Sequence, residues 1–315
     1  MRIRSKLISA AALFASVLLP LCLFSANCAR SVSVRTGAES VPPLQYGPPR
    51  ELSQLEDARI NESSGIAASI RYKDAFWTHN DSGDSARIFL IDKEGRTLAV
   101  VNIRGVAAVD WEDIASFRRG NEDYVLIADT GDNARKRESY VLYIIREPAI
   151  GIHSTAKEAP VVEVEPDSRI RFRYENGPLD SEAVAVDPAE STVYLVSKDV
   201  GECTVYSMPF PAKESKEPNI AKPIARLKVS YANGMDISPD GDRAVVLTYG
   251  DAYEYSRGEG ETWARAFSRE PRIIKAPARK QGESICYGPD GKTLYLTSEE
   301  EHQPLWEIPV IESPK

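Results

Sequence analysis

The sequence lacks the short signatures of the common catalytic sites. It contains no G-x-S-x-G elbow, no HExxH pair and no P-loop, which removes those motifs as routes to a function. Cysteine is scarce. Of the four, Cys22 and Cys28 fall within the first 29 residues, leaving Cys203 and Cys286. These two lie in repeats that are not neighbours in the register below, which argues against a disulfide and for buried thiols. Basic residues are outnumbered, with 39 Lys and Arg against 47 Asp and Glu and a formal charge of −8. An acidic surface is a poor partner for nucleic acid, whose phosphates must be neutralised.

Residues 1–29 read as an export signal, with a basic start (MRIRSK), an apolar run (LISAAALFASVLLPLCLF) and small residues for cleavage (SANCA). Pro20 within the run and the polar tail after it favour a cleaved signal over a retained membrane helix. The stretch Leu23–Cys28 has the outline of a lipobox, with Asn27 where a small residue is usual. Cys28 is therefore either a lipid anchor, the one membrane contact expected, or a residue near an ordinary cleavage site. Removing residues 1–29 deletes Arg2, Arg4 and Lys6 and takes the formal charge from −8 to −11. Residues 30–50 are rich in Ser and Pro and poor in apolar residues, and read as a flexible tether. Residues 51–315 are left as a single domain, periplasmic or extracellular.

That domain is organised by a repeated phrase. Aligning ESSGIAAS, DWEDIAS, DSEAVAVDP, ANGMDISPDG and GESICYGPDG places Ser64, Glu112, Glu182, Asn233 and Glu283 in one column, at intervals of 48, 70, 51 and 50 residues. Pro188, Pro239 and Pro289 match in the last three copies and support the same register. A period of about 40 to 50 residues made of short strands predicts an all-β propeller. Each repeat offers four strands with alternating β-branched and aromatic residues, separated by turns such as SPDG and GPDG. The fifth repeat has three strands, and Leu52–Asn61 stands where its fourth would come from. The expectation is a five-bladed propeller closed by an N-terminal strand. A sixth blade would have to come from the 70-residue interval, whose surplus holds no inner-strand phrase; Ile150–Ala159 and Glu175–Leu179 read as excursions of the second repeat.

In such a fold the column and the loop after each second strand meet at one channel mouth. The column is backed two positions earlier by Glu62, Asp110, Asp180, Tyr231 and Gln281; the loops bring HNDSGD with His79 and Asp81, ADTGDN with Asp129, and Lys198 with Asp199. Several carboxylates and an amide on one axis suit a hard divalent cation, preferably Ca²⁺, which takes six to eight oxygen ligands. Glu112, Glu182, Asn233, Glu283, Asp81 and Asp129 are the expected ligands. A hydrated channel, or one with protonated glutamates, would also tolerate the cluster. The acidic loops double as ordinary turn formers, and Trp77 and Trp111 read first as core. Arg135, Lys136, Arg137, Arg279 and Lys280 read as solvated, or as contacts for an anionic ligand.

SSGIAAS with FWTHNDSGD, the run IFLIDKEGRTLAVVNIRGVAAVDWEDIA, and IADTGDN, SEAVAVDPAESTVYLVSK and GESICYGPDGKTLYLTSE resemble the exported bacterial propellers of the SdiA-regulated family and their phytase-like relatives. The resemblance covers most of residues 60–300 and implies an envelope or extracellular propeller with calcium at an acidic mouth. More distantly the chain is similar to the senescence-marker, gluconolactonase and paraoxonase propellers, where a Glu/Asn/Asp ring holds calcium; Glu112, Glu182, Asn233 and Glu283 would take those ring roles. Two functions follow as expectations. One is a module that binds a small-molecule or protein ligand, or acts as a scaffold. The other is a calcium-dependent hydrolase of a phosphoester, ester or lactone, with His79 or Asp110 as base.

Overall fold

The computed structural model describes residues 44–152, 158–210 and 217–311; the export signal and Cys28 lie outside these residues. Among the described residues no helix is long and apolar enough to cross a membrane. The chain is an all-β propeller of short antiparallel sheets. After β1 (Arg50–Gln54), the strands β2 (Ser63–Ala68), β3 (Ala75–Asn80), β4 (Arg87–Asp92) and β5 (Thr97–Ile103) pair in order as a first set. The second set starts with β6 (Trp111–Arg119), β7 (Glu122–Asp129) and β8 (Tyr140–Arg146). The chain then leaves it as β9 (Val161–Val164), parallel to β5, and returns as its outer strand β10 (Ser168–Tyr174). The third set holds β11 (Ser181–Asp187), β12 (Thr192–Ser197), β13 (Cys203–Pro209) and β14 (Asn219–Leu227). The fourth holds β15 (Ala232–Ile237), β16 (Arg243–Thr248) and β17 (Ala252–Ser256), then the short helix α1 (Trp263–Ala266) and β18 (Arg272–Ile274). In the last set β19 (Ser284–Tyr287), β20 (Leu294–Thr297) and β21 (Pro304–Ile308) are completed by β1.

The inner strands touch in the cyclic order β2, β6, β11, β15, β19 and back to β2. An N-terminal strand closes the last sheet as expected, over Arg50–Gln54 rather than Leu52–Asn61, with Arg50 opposite Glu307 and its guanidinium bonded to that carboxylate. Residues 44–50, the described end of the expected tether, make contacts with the domain. Tyr46 bridges to Val310, the Gly47 amide donates to the Pro309 carbonyl at 2.8 Å, and the Tyr46 hydroxyl donates to Glu254 Oε1 at 2.5 Å. The segment VVEVEPDSRIRFRY is two strands serving two different sets, because its first half extends the edge of the first set. Cys203 and Cys286 are buried free thiols. Trp77 and Trp111 are both buried in the core between the first and second sets, and the Trp77 indole donates to Glu147 Oε1 at 2.8 Å.

Each inner strand pairs on one side only, so its other edge presents backbone N–H groups to the channel, and these need partners. Two carboxyls supply them, one buried and one partly exposed. Asp113 Oδ2 accepts the Val184 amide at 2.8 Å and the Met235 amide at 3.2 Å, while its Oδ1 accepts its neighbour Ile114 at 2.8 Å. One side chain on β6 thereby ties itself to β11 and β15. Asp236 on β15 accepts the Tyr287 amide of β19 at 2.8 Å. Shorter side chains bind neighbouring sets: Ser64 Oγ donates to the Glu112 carbonyl at 2.7 Å, Thr130 Oγ1 to the Ser181 carbonyl at 2.8 Å, and Asn233 Nδ2 to the Gly282 carbonyl at 2.9 Å.

Losing Asp113 would strand the amides of Val184, Met235 and Ile114, each at about 1–3 kcal/mol. Asp113→Ala is expected to lower the unfolding free energy by about 3 kcal/mol or more. Arg118→Ala, which breaks an exposed pair with Asp123, should cost under about 1 kcal/mol. Urea unfolding of both variants checks this, and equal losses would contradict the latch.

Candidate functional site

The residues of the polar column share a backbone feature. In β2 the pairing to β3 skips Ser64, in β6 to β7 it skips Glu112, in β11 to β12 it skips Glu182, and in β15 to β16 it skips Asn233. Each is the extra residue of a β-bulge. A bulge interrupts strict alternation and re-aims a side chain, which is how Glu112 and Asp113, adjacent in sequence, both serve the channel. Glu283 stands immediately before β19.

The bulges and the loops after the second strands bring five carboxyls together. Asp81, Asp110 and Glu112 have oxygens within 4.8 Å of one another, as do Glu112, Asp180 and Glu182. Gly131 makes room for them: a Cβ there would lie 2.0 Å from Glu112 Oε1 and 2.5 Å from an Asp110 oxygen. Glu182 Oε2 and, on the next inner strand, Asn233 Oδ1 are among the buried acceptors with no hydrogen-bond partner.

Two carboxylates about 5 Å apart repel by about 3 kcal/mol at an effective dielectric of about 20, so full ionisation of this cluster needs positive charge. Burial pushes Glu112 well above the usual carboxylate range, and the charges of Glu182, Asp81 and Asp110 add to it. Burial also lifts Asp81 to about 6 and Glu182 to about 7, and raises Asp110 and Asp180. Built-in cations offset part of this: Arg137 acts on Asp110, and Lys198 and Arg135 act on Asp180. Lys198 bonds to Glu182 Oε1, lies 4.0 Å from Glu283 Oε1 and sits over the Tyr249 ring at 5.1 Å. Burial works against its charge, and Glu182 more than offsets this, holding Lys198 above the ordinary lysine range. Lys198 offsets one charge on the Glu182–Glu283 side, and with the two arginines it only partly relieves Asp110 and Asp180, which stay raised.

The column is thus split. Glu112 and Glu182 join Asp81 and Asp110 as the sequence suggested, with Asp180 as a full member. Glu283 instead accepts from the Tyr249 hydroxyl at 3.1 Å and neighbours Glu299, which burial and Glu283 push up to about 8. Asp129, an expected ligand, is engaged elsewhere: Arg137 Nη2 donates to it at 2.7 Å. The same arginine reaches the Gly131 carbonyl at 2.8 Å, and Arg135 pairs with Asp199, so neither is a loose anion contact. His79 is no mouth residue. It is fully buried edge-on to Trp111, its Nδ1 is 2.9 Å from the Asn80 carbonyl, and burial lowers it to about 4. Sequence reading assigned no role to Asp113, Tyr249 or the contact of Lys198 with Glu182, since each depends on a side chain crossing between sets.

No protein-family model and no curated protein sequence matches the chain. Among solved structures it is similar to a gluconolactonase from Xanthomonas campestris, at 12% identity over 86% of this chain and 98% of that one, with a TM-score of 0.46. It is also similar to a chain of the nidogen/laminin complex, at 11% identity over 76% of this chain and 73% of that one, with a TM-score of 0.44.

Carboxyls raised in the fold hold protons that the unfolded chain has already released. Their penalty is absent below about pH 4 and grows as pH rises through their folded values. His79, lowered in the fold, acts in the opposite sense only below its unfolded value of about 6.5. Above that pH the terms that remain include Glu182, raised to about 7, and Glu299, raised to about 8. Chelator-treated protein should therefore melt at a lower temperature at pH 8 than at pH 6.5, and Glu182→Gln should shallow the slope. A midpoint that rises over this interval would contradict the electrostatic account.

Proposed function

We propose that the acidic mouth holds one hard divalent cation, with Ca²⁺ the best fit, and that the chain is an exported module that binds a small-molecule or protein ligand beside it. The observation that carries this reading is the buried, unpartnered Glu182 Oε2 within a group of five carboxyls, with Asn233 Oδ1 likewise unpartnered on the neighbouring inner strand. Leaving such acceptors unmet costs about 1–3 kcal/mol each, and a cation would meet them. The donors are carboxylate and amide oxygens with no thiolate or imidazole among them, the chemistry of a hard ion. Glu112, Asp180 and Glu182 would hold it, with Asp81, Asp110 and Asn233 completing the shell. Bound there, the ion would supply a concentrated positive charge for an oxygen-bearing ligand. Export rests on the reading of residues 1–29.

Binding is preferred to hydrolysis because the histidine considered as base is sealed in the core and held neutral. Asp110 alone remains of the expected bases.

Chelation followed by graded Ca²⁺ should raise the thermal midpoint, with a gain of about 2.7 kcal/mol at a hundredfold excess over Kd. Glu112→Gln and Glu182→Gln should abolish the rise, and Asp129→Asn should keep it. A midpoint indifferent to every divalent ion would sink the proposal.

A further inference from the structure

The three matched prolines of the sequence repeat play no part at the acidic mouth. They lie at the other end of the inner strands, where Pro188, Pro239 and Pro289 rim a cavity of about 430 Å³ that Phe117 and Tyr287 also line. That volume lies in the range of small-molecule sites. Its charges are unbalanced. Asp187 pairs with Arg257 at 2.9 Å, Asp240 with Arg243 at 2.5 Å, and Arg118 is committed to Asp123 at 2.6 Å. Asp236, partly exposed on this cavity, has no cationic side chain against it among the described residues. Its oxygens take one backbone amide each, from Ile237 and Tyr287, both at 2.8 Å. A carboxylate oxygen can accept two hydrogen bonds, so each keeps one acceptor site.

We propose that this cavity is a second binding site, separate from the acidic mouth, that takes a small organic ammonium ion, with the ammonium on Asp236 and the apolar body against the prolines and Phe117. An apolar wall with a few convergent polar groups is the usual make-up of a ligand pocket. The unopposed carboxylate selects the sign of the ligand, because a partly desolvated charge with no counter-ion is costly and an incoming cation lowers that cost. A carboxylate ligand of the same shape would meet Asp236 as a like charge. The proposal does not depend on a metal at the mouth.

The test is calorimetric titration of the purified chain at pH 8 with benzylammonium, benzyl alcohol and benzoate. Benzylammonium is expected to bind about tenfold or more tightly than the alcohol, and benzoate not to bind. Asp236→Asn should bring the ammonium down to the alcohol. Ala68→Leu, which adds bulk to the wall, should weaken both by about tenfold while leaving the response to Ca²⁺ unchanged. It remains decisive if Asp236→Asn does not fold. Equal affinity for ammonium and alcohol, no binding at millimolar concentration, or an Ala68→Leu variant that binds as the parent does would each overturn the proposal. So would ammonium binding that is lost in Glu182→Gln and kept in Asp236→Asn.

Discussion

Every inner strand of this propeller is the edge of its own sheet, and all of those edges face one channel. An unpaired strand edge in a confined space must find acceptors for its amides or water to replace them. Here the acceptors are carboxyl groups. Asp113 serves amides on two other inner strands, and Asp236 serves a third. The acidity of the channel is therefore partly structural. The same need explains why acids are tolerated in a core whose other members are Ile, Val, Leu and aromatics.

Structural need does not account for the mouth. Asp113 has both oxygens engaged by amides, whereas Glu182 keeps an orphaned oxygen and shares its neighbourhood with Asp180 and Glu112. Lys198 relieves one side of the ring and leaves the other acidic. β-Bulges place these groups, and bulges are a recurrent means of aiming side chains at sites. The two channel ends thus differ in chemistry. One is a crowded carboxyl cluster built around two bulge residues, Glu112 and Glu182, and the other is a proline-rimmed cup around a carboxylate with no cation paired to it.

Much of this was legible in the sequence. The polar column and the matched prolines recovered the inner strands and the closure by an N-terminal strand, because inner-strand phrases and hairpin turns are local signals. The column also marked the residues that prove to be bulged, although pattern alone gave no sign of the bulge. What stayed hidden depends on contacts between sets. Asp129 sits in an acidic loop like that of Asp81, yet Arg137, eight residues on, claims it. His79 stands in a polar loop phrase but turns into the core against Trp111. β9 leaves its own set for the edge of the first, and α1 carries Trp263 to Asp187 of the third, 3.0 Å away. None of these partners can be read from spacing along the chain.

The central claim is that the bulged acids hold an ion, and the most direct measurement is a crystal structure of the protein grown with Mn²⁺ as an anomalous scatterer for the hard-cation site. The account predicts one strong anomalous peak bounded by Glu112, Asp180 and Glu182, with Asp81, Asp110 and Asn233 around it. A channel mouth without a peak, or a peak held by Asp129 or Glu283 instead, would contradict it.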